Sequence, residues 1–393
     1  MMTEINNLFS SIAIEPRDYQ TRIVRQITDM FDGKHHTKDG ALTPSIRSIM
    51  VESPTGSGKT VIGMMAAKII QEKSTVPLGI CWVAMRRNLL AQASRENIEK
   101  GFNLRNIHFT SMFDKLAQET IKFKTSGHQI LLVIDECHHD ATSSMSHLYN
   151  IIQPNYVLGL SATPYRTDKM ALCFEKVIKD AGIHQLISAG YLSKFDHYTI
   201  DSWEPKTVVE RFIAEPKRWG KSVMFFKNLN QCYLAAQLLS SKGYLSEVVT
   251  GSSDTESQLK MFSAGKVQIL INCMKLTEGF DCPSIKTVWV RDSGKGTTTQ
   301  MAGRVFRIHK STPIKQVVQG VNTSHPITKT ANARMQYRWH AGQGWISLTV
   351  NPLIQLMAHN ARMAIAKTEV RMPCFISSRK IVPSIRLPFV RNT

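Results

Sequence analysis

Residues 53–60, with the sequence Ser-Pro-Thr-Gly-Ser-Gly-Lys-Thr, constrain the fold of this chain more than any other stretch. They follow the apolar run Ile49–Val51 and precede residues 61–70, which are mostly apolar and suit a helix. Strand, glycine-rich turn and helix together make a phosphate-binding loop, because backbone N–H groups and the helix N-terminus point at one anionic spot. Ser53 departs from the strict form of this motif, which has glycine there.

Four residues of the loop carry the expected chemistry. Gly56 and Gly58 let the backbone approach a triphosphate closely. Lys59 would reach the β and γ phosphates, and the Thr60 hydroxyl would ligate Mg²⁺. The motif therefore predicts a site for a triphosphate with its metal ion.

Two carboxylates follow a second strong strand pattern. The apolar run 130–134 predicts a fully buried parallel strand, which ends at Asp135 and Glu136. Asp135 is placed to hold Mg²⁺ through water, and Glu136 to orient or deprotonate an attacking water. The adjacent His138 and His139 leave a transition-metal site as an alternative, although a second ligand cluster at suitable spacing is missing.

Further polar residues stand at the ends of other expected strands. Ser161 and Thr163 follow a buried strand, and their hydroxyls could bond the neighbouring carboxylates and so report whether a γ phosphate is present. Arg86 and Arg87 follow a strand at 78–83. On the same sheet edge as the loop they could hold a nucleic-acid phosphate, and a solvated turn is the alternative.

Composition limits the class of partner and the compartment. The 393 residues, 42% of them hydrophobic, suggest two or three domains, and the formal charge of +19 favours a polyanionic partner. No run of 18 apolar residues and no signal-peptide pattern occur, so we expect a soluble, cytoplasmic protein without a membrane partner. Seven scattered cysteines form no C-x-x-C pair, which predicts reduced thiols.

The second half repeats the α/β pattern without a phosphate loop of its own. Strands and helices alternate between residues 223 and 290, after a looser stretch between Gly190 and Gly220 that marks a domain join. We expect a first domain over residues 1–200, a second over 205–320 and an extension over 321–393. The extension holds three lysines and seven arginines against one glutamate, a balance of nine positive charges. A basic appendage packed on the second domain and a nucleic-acid clamp both remain open, with a helix expected over 353–366.

Six stretches in order resemble the motifs of superfamily 2 helicases and translocases of the D-E-x-H type. They are Arg17–Gln20, Ser53–Thr60, Asp135–His138, Ser161–Pro164, Asn272–Pro283 and Gln300–Arg307. The resemblance covers about residues 15 to 310. Within the family, the sequences Glu-Gly-Phe-Asp and Thr-Pro-Tyr-Arg are similar to the corresponding motifs of compact repair and recombination helicases. These are phage helicases of the UvsW type, bacterial RadD-like proteins and the motor part of restriction enzymes.

The resemblance implies two tandem RecA-like domains of parallel sheet, with a cleft between them for ATP and Mg²⁺. The implied catalytic residues are Lys59, Asp135, Glu136, Gln300, Arg304 and Arg307. The implied nucleotide-binding residues are Arg17, Gln20, Thr55, Gly56, Ser57, Gly58, Lys59, Thr60, Gly279 and Asp281, of which Gln20 would read the adenine edge. Thr60 and Asp135 would hold Mg²⁺.

Two further groups are implied. His138, Ser161 and Thr163 would couple the nucleotide to movement, and the nucleic acid would contact Arg86, Arg87, Thr110, Asn272 and Thr277. Arg304 and Arg307, three residues apart, would share one face of a helix and reach the γ phosphate. 

The function expected from this resemblance is an ATP-dependent helicase or translocase that acts on branched or duplex DNA in replication, recombination or repair. We expect a monomer, in the host cytoplasm if a phage encodes it, with replication or recombination proteins as partners. An RNA helicase, and an ATP-gated clamp or assembly factor that does not travel, are the alternatives.

Overall fold

The computed structural model describes residues 12–35, 42, 44–111, 126–139, 143–163, 174–273, 276 and 282–348. Three predicted site residues, Thr277, Gly279 and Asp281, and the helix expected over 353–366 lie outside these ranges. No helix within them is both long and apolar enough to cross a bilayer.

The first domain is built on a six-stranded sheet in the order β3-β2-β4-β5-β1-β6, with every neighbouring pair parallel. Its strands are β1 (Ser48–Glu52), β2 (Leu78–Ala84), β3 (Ile107–Ser111), β4 (Gln129–Asp135), β5 (Tyr156–Ser161) and β6 (Lys176–Ile178). Because all strands run the same way, the phosphate loop after β1 and the carboxylates after β4 meet at one edge. β5 lies between them.

The helices of this domain are α1 (Asp18–Phe31), α2 (Lys59–Lys73), α3 (Arg87–Glu99), α4 (Ser143–Ile152) and α5 (Ile183–Ser188). α1 buries the apolar side chains that recur at helical spacing, Tyr19, Ile23, Val24 and Ile27, and packs against α2. α2 is apolar nearly all round, because it lies between the sheet and α1.

The second domain contains an eight-stranded sheet in the order β14-β13-β7-β12-β11-β8-β10-β9. All neighbouring strands are parallel except β13 and β14, which form an antiparallel hairpin. Its strands are β7 (Lys194–Ile200), β8 (Ser222–Phe225), β9 (Ser246–Val248), β10 (Ile269–Asn272), β11 (Thr287–Val290), β12 (Ile314–Gly320), β13 (Met335–His340) and β14 (Gly344–Ser347). The helices are α6 (Pro205–Ala214), α7 (Pro216–Trp219), α8 (Leu229–Ser240), α9 (Thr255–Ser263) and α10 (Lys295–Gly303).

The predicted boundary at residue 200 is wrong. β7 pairs in parallel with β12 along all seven of its residues, so residues 194–200 belong to the second sheet. His197 on β7 also hydrogen-bonds Gln319 on β12, with 3.1 Å between Nε2 and Oε1. The chain therefore crosses between domains over residues 189–193, at the start of the predicted join.

The described part of the predicted extension is integrated into the second domain. β13 pairs with β7, and β14 folds back on β13 as an antiparallel hairpin. Tyr337 stacks on Tyr198 with the ring centroids 4.8 Å apart, and Trp345 packs edge-on against the buried Trp219 at 5.5 Å. The described residues 321–348 therefore pack on the second domain, and the boundary at 320 cuts through one sheet.

Candidate active site

The phosphate-binding loop joins β1 to α2. Gly56 and Gly58 have φ values of 84° and 80°, in the left-handed region that side chains with a Cβ rarely adopt. Ser53, the departure from the strict motif, is buried, and its Oγ donates to Ser57 Oγ at 2.7 Å. The hydroxyl at position 53 thus spans the base of the loop.

The start of α1 is tied to the same loop. The Ser57 carbonyl accepts hydrogen bonds from Gln20 Nε2 at 3.0 Å and from the Tyr19 hydroxyl. Gln20 Oε1 accepts from the backbone N–H of Arg17 at 3.1 Å, and the Gln20 side chain is buried. Both groups that would read an adenine edge are therefore engaged within the protein.

The two carboxylates stand beside the loop. Asp135 ends β4, and Glu136 follows with φ 53°, a strained value for a residue with a side chain. Glu136 Oε1 lies 3.4 Å from Lys59 Nζ. Burial above all, and then the charge of Glu136, raise the pKa of Asp135, against the opposing effect of Lys59.

These residues fit a bound Mg²⁺. A buried carboxylate with a raised pKa is stabilised in its charged form by a nearby cation, and Thr60 lines the same cleft. Within the described ranges, no three His, Cys, Asp or Glu side chains gather as a metal-ligand set, so the transition-metal alternative has no support there.

A chain of polar side chains crosses the domain interface. Gln300 Nε2, on α10, lies 3.3 Å from His138 Nε2, and His138 Nδ1 lies 3.1 Å from Ser161 Oγ. Ser161 Oγ in turn donates to the Thr163 carbonyl at 2.7 Å. If the Gln300 amide donates to His138 Nε2, then His138 carries its proton on Nδ1 and donates to Ser161 Oγ. Ser161 Oγ donates to the Thr163 carbonyl, so one tautomer of His138 satisfies all three hydrogen bonds. The predicted coupling residues are thus connected across the cleft.

The second domain brings two arginines to the cleft. α10 ends at Gly303 and Arg304 caps it, whereas Arg307 lies beyond the helix, so the predicted shared helical face is wrong. Ser193 holds this segment away from helical geometry: its N–H donates to the Phe306 carbonyl at 2.7 Å and its hydroxyl to the Arg307 carbonyl at 3.1 Å. Both arginine side chains nevertheless line the cleft.

The cleft between the two domains has a volume of about 340 Å³. First-domain residues of its wall include Thr55, Lys59, Thr60, Asp135 and Glu136. The domains meet tightly beside it, since a Cβ on Gly303 would lie 2.8 Å from the Thr55 Cβ. The loop, the carboxylates and the arginines therefore surround one space.

The predicted nucleic-acid residues occupy different environments. Arg86 is half-buried just before α3 and Arg87 is exposed as its first residue, at the carboxyl edge of β2. Thr110 is buried near the end of β3. Asn272 is fully buried, and its Oδ1 accepts a hydrogen bond from the Leu276 N–H at 3.1 Å. The prediction that Asn272 contacts nucleic acid therefore concerns a side chain with no exposed surface in this structure.

Sequence reasoning missed two parts of the cleft wall. Gln92, Glu96 and Lys100 form a polar stripe at four-residue spacing on and just after α3, and hydrogen bonds to both neighbours hold the Glu96 carboxylate. That spacing was visible in the sequence. Tyr191, in the crossing between the domains, also lines the cleft, and no motif signalled it.

Comparison with known proteins identifies both domains. Residues 13–166 match the family described as Type III restriction enzyme, res subunit, and residues 204–309 match the Helicase conserved C-terminal domain. The chain is 24% identical over 238 residues to IRC3, a candidate ATP-dependent helicase of Saccharomyces cerevisiae, covering 49% of this chain and 34% of that protein. A candidate helicase of a Sulfolobus islandicus filamentous virus is 23% identical, covering 67% of this chain and 58% of that protein.

Solved structures share the fold at low identity. The restriction-modification enzyme LlaBIII bound to DNA has a TM-score of 0.53 at 14% identity, covering 80% of this chain and 28% of that one. Saccharomyces cerevisiae Dbp5 bound to RNA and ADP BeF₃ has a TM-score of 0.52 at 14% identity, covering 82% of this chain and 93% of that one. The Mycobacterium smegmatis helicase Lhr bound to single-stranded DNA and AMP-PNP has a TM-score of 0.53 at 14% identity, covering 80% of this chain and 47% of that one.

Two parallel-sheet domains that face each other across a phosphate loop define the tandem RecA-like class. With its two matched domains and its helicase relatives, the chain belongs to the superfamily 2 helicases, a class of ATP-hydrolysing enzymes. It spans between about a third and 58% of the length of the first curated relatives.

Proposed function

We propose that this chain is an ATP-driven motor that travels along DNA and separates its strands. The observation that carries the proposal is the composition of the cleft: Lys59 and the carboxylates come from one domain, and Arg304 and Arg307 from the other. A nucleotide held between such surfaces favours closure, and its hydrolysis favours opening. Alternate closing and opening moves two strand-binding domains relative to each other.

Each side chain of the cleft has a separate task. The N–H groups of the loop and Lys59 bind the β and γ phosphates. Lys59 lies 3.4 Å from Glu136 Oε1, so phosphates that attract Lys59 release the Glu136 carboxylate to orient a water and accept its proton. Thr60 and Asp135 would hold Mg²⁺, which would supply positive charge against the phosphates. Arg304 and Arg307 stabilise the charge that develops on the γ phosphoryl group.

The polar chain across the interface links the nucleotide to domain position. Glu136 Oε2 lies 3.5 Å from His138 Nδ1, and His138 also contacts Gln300 of the second domain. A shift of α10 therefore changes the surroundings of the water-activating carboxylate through one intervening side chain.

DNA is the proposed polymer. The formal charge of +19 favours a polyanion, the first-domain match is to a restriction-enzyme subunit, and two of the similar structures hold DNA. The sequence motifs that resemble those of UvsW-type and RadD-like helicases support branched DNA as the substrate. Such a substrate suits a role in replication, recombination or repair. Dbp5 holds RNA on the same fold, so RNA is the competing polymer.

The test measures Mg²⁺-dependent ATP hydrolysis beside strand displacement on forked DNA, a four-way junction and duplex RNA. A triplex-displacement assay on DNA detects travel that separates no strands. We expect stimulation of hydrolysis by DNA and displacement on branched DNA, with Lys59→Ala as the inactive control. Stimulation by RNA alone would favour the RNA helicase. DNA-stimulated hydrolysis with neither duplex nor triplex displacement would favour a clamp that does not travel.

A further inference from the structure

Lys315 places a cationic side chain in the interior of the second domain. It is the second residue of β12, and its side chain has no exposed surface. Its Nζ donates three hydrogen bonds, each of 2.7 Å, to the Pro283 carbonyl, the Ile285 carbonyl and the Thr312 hydroxyl. An ammonium group has three N–H donors, so these three acceptors use all of them.

The three acceptors belong to two segments that form the second-domain wall of the cleft. Pro283 lines the cleft, and Ile285 follows it in the turn before β11. Arg307 and Ile308 line the cleft as well, and Thr312 ends the turn that follows them. One buried ammonium group therefore joins two parts of the wall that are distant in the sequence.

Within the described part of the chain, no carboxylate offsets the charge of Lys315, and Cys282, buried beside Pro283, is the titratable side chain that acts on it. On β7, the residue paired with Lys315 is the uncharged Phe195, and burial lowers the pKa of His197 to about 4, so that ring is neutral. Just before β11, Lys286 donates to a carbonyl of α7 at 3.3 Å. The three neutral oxygen acceptors therefore stabilise the ammonium group.

The charge of Lys315 and its hydrogen bonds are linked. Burial lowers the pKa of Lys315 to about 8 from its ordinary value of 10.5, and Cys282 opposes this effect. A neutral amine has two N–H donors and a lone pair, so loss of the proton leaves one of the three oxygens facing the lone pair. The full set of three hydrogen bonds therefore requires the charged form.

We propose that Lys315 is a positioning residue: its ammonium group fixes the second-domain wall of the cleft by linking the Pro283 turn to the segment that follows Arg307. The inference rests on the proposed hydrolysis of ATP in this cleft. Binding of the nucleotide depends on the phosphate loop and Lys59 of the first domain, whereas Arg307 acts on the γ phosphoryl group during the reaction. Loss of the link therefore lowers kcat and leaves nucleotide affinity unchanged.

The first test compares Lys315→Met with the wild-type full chain at pH 7, because methionine has a similar length and donates no hydrogen bond. We expect kcat of nucleic-acid-stimulated ATP hydrolysis to fall on the order of tenfold, the effect of lost hydrogen bonds to a charged group, while equilibrium binding of ADP is unchanged. Val318→Ala is the matched control, since it removes buried apolar volume from the opposite face of β12. It should lower the melting temperature and leave kcat unchanged.

The pH dependence of kcat separates positioning from a contribution to folding alone. Because the pKa of Lys315 is lower in the folded chain than in the unfolded chain, its contribution to the free energy of unfolding rises between about pH 8 and 10.5. Loss of the proton from Lys315 therefore does not unfold the protein, and thermal melts at each pH check this. The ratio of kcat in the wild type to kcat in Lys315→Met should fall as pH rises through about 8, because the variant has no ammonium group to lose.

Thr312→Val is the second variant, and it removes one acceptor while both carbonyls remain. We expect kcat to fall about threefold with unchanged ADP binding, and this variant decides the question if Lys315→Met does not fold. Unchanged kcat in Thr312→Val or in folded Lys315→Met, an equal loss of kcat in Val318→Ala, or a kcat ratio independent of pH would each overturn the inference. A wild-type chain that hydrolyses no ATP would instead contradict the proposed function itself.

Discussion

Gln300 of the second domain and His138 of the first lie 3.3 Å apart, between Nε2 and Nε2, and both side chains are buried. This contact joins the side of the cleft that carries Glu136 to the second domain. It connects through His138 to Glu136 in one direction and to Ser161 in the other.

Gln300→Ala should therefore lower nucleic-acid-stimulated ATP hydrolysis by roughly threefold to tenfold, the effect of one lost buried hydrogen bond, while nucleotide binding is retained. A double-mutant cycle with His138→Ala measures the link, and the double variant is expected to be no worse than the more damaged single variant. Thr299→Ala, whose hydroxyl bonds only within α10 to the Lys295 carbonyl, is the matched control. Fully additive effects would show that the two residues act separately.

Lys59→Ala should weaken ATP binding, because it removes a cation that faces the phosphates. Glu136→Gln should leave ATP binding largely intact and stop turnover, because it removes only the charge that activates water. Nucleotide titrations and turnover assays on both variants check this contrast. Equal loss of nucleotide binding in the two would refute the role assigned to Glu136.

Arg307→Ala should cut nucleic-acid-stimulated hydrolysis by about 10³-fold, the lower range for an arginine that stabilises a phosphoryl-transfer transition state. Strand binding should change little, because Arg307 lines the nucleotide cleft. Lys310→Ala removes an exposed cation three residues further on and controls for net charge. Normal turnover in Arg307→Ala would place this function on another residue, with Arg304 the first to examine.

The clamp hypothesis now concerns residues 349–393, because β13 and β14 are part of the second sheet. That segment has two lysines and five arginines against one glutamate, a balance of six positive charges. If several of them neutralise phosphates, log affinity for branched DNA falls with log salt by ~0.7 to 0.9 per contact. A chain that ends after Leu348 should bind more weakly, with a flatter salt slope and an unaltered ATP site.

A cooperative thermal melt must first show that the shortened chain folds. A chain that ends at residue 320 is the wrong comparison, since it would uncover Tyr198 and Trp219. A folded chain ending after Leu348 with an unchanged salt slope would remove the clamp hypothesis.

The buried His197 should make the second domain sensitive to acid. Burial lowers the pKa of His197 to about 4, below its ordinary value of 6.5. Stability from the neutral ring is fully present above pH 6.5, and is lost as pH falls through 4, because only the unfolded chain takes up the proton. The free energy of unfolding should drop by up to about 3 kcal/mol over this window. Urea unfolding at several pH values measures this drop.

His197→Gln should reduce the slope of the free energy of unfolding against pH between pH 6.5 and 4. The exposed His340→Gln should leave that slope unchanged. Equal slopes in the wild-type chain and in both variants would contradict the role assigned to His197.

Much of the first domain could be predicted from local sequence. A buried parallel strand needs a continuous apolar run, and a phosphate loop needs glycines in fixed places, so β1, β4 and the loop were located from consecutive residues. The nucleotide class followed from the same short stretch and its resemblance to known motifs. Such features depend on neighbours in the chain, which is why the sequence alone determined them.

Contacts between distant residues were decided only by the tertiary structure. Residues 194–200 have the pattern of any strand, and only pairing with β12 assigns them to the second sheet. The spacing of Arg304 and Arg307 suited a helix, but hydrogen bonds from Ser193, more than a hundred residues earlier, hold Arg307 outside it. Tyr191 carries no motif, and it borders the cleft because Leu192 and Ser193 are held on opposite domains. Such partners are chosen by packing energy summed over the whole fold, and no local pattern encodes that sum.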